Sequence, residues 1–169
     1  LPVGPLVNYG YTDDVLLPMT LTAPADARVG DTVTLTAAAS FLVCAEICVP
    51  EDATLKIAVP VTAGPAAPDA KWAGPIAATL AAAPKPAGLA AVFEKKPSGV
   101  ALAVTGAPLK GADMAEAYFY PFDSTVIDHA RPQVVERGPD GLTLTLTPGY
   151  AFQGDGAPKT LAGVLSVGG

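Results

Sequence analysis

The chain is short of the residues that most enzymes work with: in 169 residues it has one histidine, two cysteines and one tryptophan. The cysteines, Cys44 and Cys48, are four positions apart with no further Cys or His nearby, which makes a poor zinc site, since such sites usually need four ligands. Charge is also scarce, at 15% of residues, and Lys+Arg at 10 against Asp+Glu at 16 leave a net charge of -6. No block of basic residues is present to track phosphates, so a nucleic-acid role is excluded. No Gly-rich run matches a phosphate loop or a dinucleotide fingerprint, and no repeat of fixed period is found. Long apolar runs are missing too. A membrane span needs about 20 mostly apolar residues, whereas residues 32–45 and 57–68 are too short and the second is broken by Pro60 and Pro65. The chain opens at Leu1-Pro2-Val3 without the basic-then-apolar start of a signal peptide, so we expect a mature or excised piece.

What is abundant is apolar character, at 50%, together with 17 glycines and 18 prolines. Such a mixture leaves little room for long helices and points to a turn-rich, mostly β protein. Period-two alternation runs through Leu17, Met19 and Leu21, through Val33, Leu35 and Ala37, and through Leu55, Ile57, Val59 and Val61. These segments read as strands of a sandwich with one wet face. The stretch from Ala63 to Pro68 has almost no side chain able to build a core, and Asp69 follows it in a good N-cap position. Trp72, Ile76 and Leu80, spaced by four, predict a short helix within 71–83. Alternation then returns in Leu89 to Phe93, the turn Pro97-Ser98-Gly99, and Val100, Leu102 and Val104, a hairpin pattern. It continues through residues 117–120, 133–137, the turn at 138–141, the strand 142–146 and a last strand within 161–167. The expected division is therefore residues 1–63, a linker with a short helix at 64–86, and a second small β-sandwich at 87–169.

The chemistry concentrates in Phe41-Leu42-Val43-Cys44-Ala45-Glu46-Ile47-Cys48-Val49-Pro50-Glu51-Asp52. Four steps of strand cover about 13 Å, too far for a disulfide, whose Cα atoms lie about 4.4–6.8 Å apart. The chain must therefore turn between the sulfurs, by a helical turn, a tight hairpin or a bulge. A disulfide there favours an oxidising compartment. The loop it closes is tiny and worth only about 2 kcal/mol, a weak reason to keep the pair for stability alone. Two readings stand at this point: a structural staple, or a disulfide that opens and closes by exchange with a partner thiol. The nearest cations in sequence are Arg28 and Lys56, while Glu46, Glu51 and Asp52 lie closer. Negative neighbours raise a thiol pKa, so an exchanging pair here should be slow toward random thiols and depend on a dedicated partner. An apolar surface of Phe41, Val43, Ile47 and Val49 is expected around it.

The segment from Leu42 to Ala53 resembles the periplasmic N-terminal region of the thiol:disulfide interchange protein DsbD family, most closely its suppressor of copper sensitivity (ScsB) branch. Leu1 to Tyr11 and Val15 to Pro18 share the likeness, as do Ala117 to Asp123 and Ile127 to Ala130. The resemblance implies an immunoglobulin-like β-sandwich, of which residues 1–63 are the later half, with the earlier strands in a preceding piece or replaced by another element. It implies protein-disulfide reductase activity in the periplasm, with Cys44 and Cys48 as the exchanging pair and no metal or organic cofactor. Electrons would come from a membrane-embedded redox domain and pass to periplasmic thioredoxin-fold proteins, such as disulfide isomerase-like proteins, or to peroxiredoxins. Tyr9 and Tyr11 fall where the family carries a cap over the disulfide, with Phe41, Ile47 and Val49 beside them as partner-binding residues.

Two alternatives belong to other classes. One is a copper-holding module in which both thiolates and a methionine, Met19 or Met114, bind Cu(I), although Met19 lies on a strand pattern that suits core packing. The other is a docking sandwich with an inert disulfide. His129 is read as a loop residue facing solvent, and Tyr118 to Phe122 as a buried strand and corner.

Overall fold

In a computed structural model of the chain, the residues described are 2–3, 6–154 and 156–168. Leu1, Gly4 and Pro5, in the N-terminal segment quoted above, lie outside them. The protein is mainly β, with one α-helix among the described residues, and it divides into two compact units, Leu1–Val15 with Ala83–Gly169, and Leu16–Ala82. The sequence reading assigned residues 1–63 to one domain, whereas here the first fifteen residues group with the C-terminal unit.

In the larger unit, the short strands β1 (Pro2–Val3) and β2 (Leu6–Val7) pair with each other. The body of this unit has two layers. One is a four-stranded antiparallel sheet ordered β5 (Ala90–Lys96), β6 (Gly99–Thr105), β9 (Gly141–Leu146), β8 (Val134–Arg137). The other is the antiparallel pair β7 (Asp113–Pro121) and β10 (Gly163–Gly168). Alternation places every second residue of β6 and β9 inward, and the register sets Val100 opposite Leu146, Leu102 opposite Leu144 and Val104 opposite Leu142. All six are buried, and Met114, Ala117 and Phe119 of β7 close over them with Leu109, Val126, Ile127 and Phe152 from the connections. This is the expected second β-sandwich. Its turns require glycine where expected: Gly99 takes φ 148° after Pro97-Ser98, and a Cβ on Gly141 would collide with the Val104 carbonyl.

The smaller unit is built on one long hairpin, β3 (Thr32–Cys44) and β4 (Cys48–Pro60), followed by α1 (Ala73–Ala82). Asp69 caps that helix as the sequence predicts, its Oδ1 accepting from the backbone N–H of Lys71 and Trp72, both at 2.9 Å. The hairpin ladder runs from Thr32 opposite Pro60 to Cys44 opposite Cys48 without a bulge. Its pleat sorts the side chains by parity. Odd positions give an apolar face of Val33, Leu35, Ala37, Ala39, Phe41 and Val43 against Val59, Ile57, Leu55, Ala53, Glu51 and Val49. Even positions give a face of Thr, Ser, Lys and Asp that ends in Leu42, Pro50 and the two cysteines.

Two expectations fail in this unit. Leu17, Met19 and Leu21 form no strand and are 67%, 76% and 64% exposed. Alternation there has no neighbouring strand to bond to, and Pro18 lacks a backbone donor. Met19 is therefore not a core residue. Nor does the unit enclose a core of its own, since none of the residues 16–82 is buried.

Candidate functional site

Cys44 and Cys48 are joined in a disulfide with Cα atoms 4.1 Å apart. The three residues between them form the hairpin turn, and the backbone N–H of Ala45 donates to the carbonyl of Ile47 at 3.2 Å. In an antiparallel ladder, a hydrogen bond just beyond a pair marks that pair as the non-hydrogen-bonded kind, whose Cα atoms come closest, near 4.5 Å. The turn thus delivers two sulfurs into bonding range without help from elsewhere. Of the alternatives open in the sequence, the tight hairpin is the one adopted.

Both cysteines are half-buried and stand on the even, polar face, away from the apolar face of the same hairpin. Phe41, Val43, Ile47 and Val49 are 45%, 53%, 75% and 47% exposed, which makes the tip an apolar surface. Phe41, Val43 and Val49 share the odd face, and Ile47 lies in the turn. Glu46 sits at the centre of the turn, Asp52 on the disulfide face opposite Ser40, and Glu51 on the other face opposite Phe41. No Lys or Arg lies between Arg28 and Lys56.

Tyr9 belongs to the other unit, where its phenol lies 2.7 Å from the Tyr118 hydroxyl and 2.8 Å from His129 Nδ1. His129 Nε2 is 3.1 Å from the Ser124 carbonyl, which can only accept, so in the neutral ring the proton is on Nε2 and Nδ1 accepts from Tyr9. The Tyr118 hydroxyl is hydrogen-bonded to the same phenol. Tyr120 packs edge-on against Tyr9 with ring centroids 5.6 Å apart. Burial, and then the bond and charge of Tyr118, push the Tyr9 phenol well above its ordinary pKa. Tyr11 is 75% exposed. His129 is thus a half-buried hydrogen-bonding hub and not a free loop residue. Its partner Tyr9 lies 120 positions away in sequence, and no local pattern announces it. Of Tyr118 to Phe122, only Phe119 points into the core; Tyr120 and Phe122 are 42% and 76% exposed.

Met114, the other methionine considered for copper, is buried in the core of the larger unit at 4% exposure. Among the described residues, no group of three His, Cys, Asp or Glu side chains is placed to hold a metal ion. A cleft of about 670 Å³ in the larger unit is lined by Leu89, Leu102, Phe119, Leu165 and similar residues, with Lys85 its one charged side chain. It offers no reacting group. Among the described residues, no helix is long and apolar enough to cross a membrane.

Residues 2–60 match the family described as thiol:disulfide interchange protein DsbD, N-terminal. The match spans about a third of the chain and ends at the last residue of β4, so it contains both cysteines and the whole hairpin. The segment is similar to that family, and the similarity supports a role in thiol:disulfide interchange. No curated protein and no solved structure matches the chain.

Proposed function

We propose that this chain is a periplasmic protein-disulfide reductase module of the ScsB type, in which Cys44 and Cys48 carry two electrons between a membrane-embedded redox domain and periplasmic thioredoxin-fold proteins. The observation that carries the reading is a disulfide closed by three turn residues at the tip of a hairpin, on its polar face, inside the segment matched to the interchange family. In the reduced module, one cysteine thiolate attacks the partner disulfide, forming a mixed disulfide and releasing one partner thiolate. The second cysteine then attacks the mixed disulfide, which restores the Cys44–Cys48 bond and frees the partner as a dithiol. The membrane domain's dithiol re-reduces the pair by the same steps in reverse. The sulfurs hold the electrons themselves, so no cofactor is required.

Phe41, Ile47 and Val49 supply the apolar docking surface, and residues 87–169 serve as a second β domain. Tyr9 and Tyr11 are the aromatic shields of the family likeness; Tyr9 is bonded to Tyr118 and His129, whereas Tyr11 is exposed. Trapping tests the reading. With Cys44→Ala or Cys48→Ala, the remaining thiol should accumulate as a mixed disulfide with a thioredoxin-fold protein in the periplasm. A reduction potential below about -300 mV, the range of structural disulfides, together with no trapped species, would refute it.

A further inference from the structure

We infer that the carboxylates around the Cys44–Cys48 disulfide select its exchange partners by charge, admitting thiols that bring positive charge to the hairpin tip and turning away anionic ones. The inference rests on the exchange reading above; the site is the disulfide, and the carboxylates set which thiol reaches it. Glu46 is two residues from each cysteine, in the turn itself. Asp52 stands on the disulfide's own face, four cross-strand pairs back and about 13 Å along the strand. Glu51 is next to it on the opposite face. All three are exposed, and neither ion pair among the described residues involves them. The nearest cation in the hairpin, Lys56, lies opposite Thr36, about 27 Å from the disulfide along the ladder.

Exchange begins when a thiolate approaches one sulfur; its negative charge is then shared along three sulfurs as the old bond breaks. Every stage of that approach brings negative charge toward Glu46, Glu51 and Asp52. At separations of about 7–13 Å in water, three carboxylates together change the rate about tenfold for each unit of charge on the incoming thiolate. At 1 M salt the screening length falls to about 3 Å and the effect collapses. A protein with lysine or arginine around its reactive cysteine is therefore the favoured partner, and small acidic thiols are poor ones.

The test follows reduction of the oxidised full chain by three reagents at equal thiolate concentration and low ionic strength. They are cysteamine (net charge zero as its thiolate), 2-mercaptoethanol (one negative charge) and 2-mercaptoethanesulfonate (two). Each rate is divided by that of a variant carrying Glu46→Gln, Glu51→Gln and Asp52→Asn, which cancels the intrinsic reactivity of each reagent. The variant should leave cysteamine nearly unchanged, accelerate mercaptoethanol about tenfold and accelerate mercaptoethanesulfonate more strongly again. In the unsubstituted protein, the spread between reagents should narrow as salt approaches 1 M, a readout that needs no variant. Equal ratios for all three reagents and no salt dependence would overturn the charge selection and leave exchange standing. A disulfide that none of the three opens in the folded protein would instead overturn exchange itself.

Discussion

Reducing the Cys44–Cys48 bond should loosen only the tip of the hairpin. The bond closes a loop from residue 44 to residue 48, and for about five residues the chain-entropy relation gives about 2 kcal/mol. That corresponds to about thirtyfold in a local opening equilibrium. The ladder behind it, from Val43 opposite Val49 back to Thr32 opposite Pro60, does not depend on the sulfurs for its register. Amide hydrogen exchange on oxidised and reduced protein measures this directly. Protection at Val43, Ala45 and Val49 should fall by no more than about thirtyfold on reduction. Amides near Leu35 and Ile57 should change little, and those of Leu102 and Leu144 not at all. Such a result leaves a dithiol on a hairpin that stays folded. Loss of protection along the full length of β3 and β4 would show that the bond staples the hairpin, and the reasoning from loop size would be wrong.

Three further outcomes follow from the packing. Leu144 is fully buried between β6 and β8, so Leu144→Ala should cost about 2–5 kcal/mol in denaturant unfolding of the larger unit. It should leave the thiol chemistry of Cys44 and Cys48 unchanged. Asp69→Ala removes the oxygen that accepts from Lys71 and Trp72; about 1 kcal/mol of α1 stability should go with it, seen as lost ellipticity at 222 nm. The Tyr9 phenol is held above its ordinary value of 10.0, chiefly by burial and then by Tyr118. Its contribution to stability is therefore complete below about pH 10 and lost as the pH climbs toward the folded value. Alkaline unfolding followed by absorbance should start at lower pH in the native protein than in Tyr9→Phe, once the neutral-pH stabilities of the two are matched with denaturant. Coincident profiles would count against that placement of Tyr9.

The parts of the fold that local pattern encodes were readable in advance. Val100, Leu102 and Val104 alternate, Leu142, Leu144 and Leu146 alternate, and the turns beside them carry Pro97-Ser98-Gly99 and Gly138 to Gly141. Period, turn chemistry and burial agree there, and the structure pairs those residues across one ladder. Asp69 before Trp72, Ile76 and Leu80 announced a capped helix in the same way. The turn between the cysteines followed from bond geometry, although the choice of hairpin over helical turn did not. Partnership is what pattern cannot supply. Leu17, Met19 and Leu21 have the period of a strand but no strand beside them, and the period alone cannot reveal that. Tyr9 meets Tyr118 and His129 across 109 and 120 positions of sequence, a distance over which no periodicity speaks.

The parity of the hairpin ties its stability to its chemistry. Even-numbered positions put Cys44 and Cys48 on the face that carries Thr34, Thr36, Ser40, Asp52, Thr54 and Lys56. Odd-numbered positions put Val33, Leu35, Phe41, Val43, Leu55, Ile57 and Val59 on the other, where they stay at least partly exposed within this unit. A two-stranded hairpin gains stability by covering such an apolar face, and any layer laid against it leaves the disulfide on the outer side. Because side chains alternate with a period of two, moving the cysteines by one position would turn the sulfurs toward the covering layer. The spacing of the cysteines from the apolar residues, and not only from each other, is thus what keeps the pair off the apolar face.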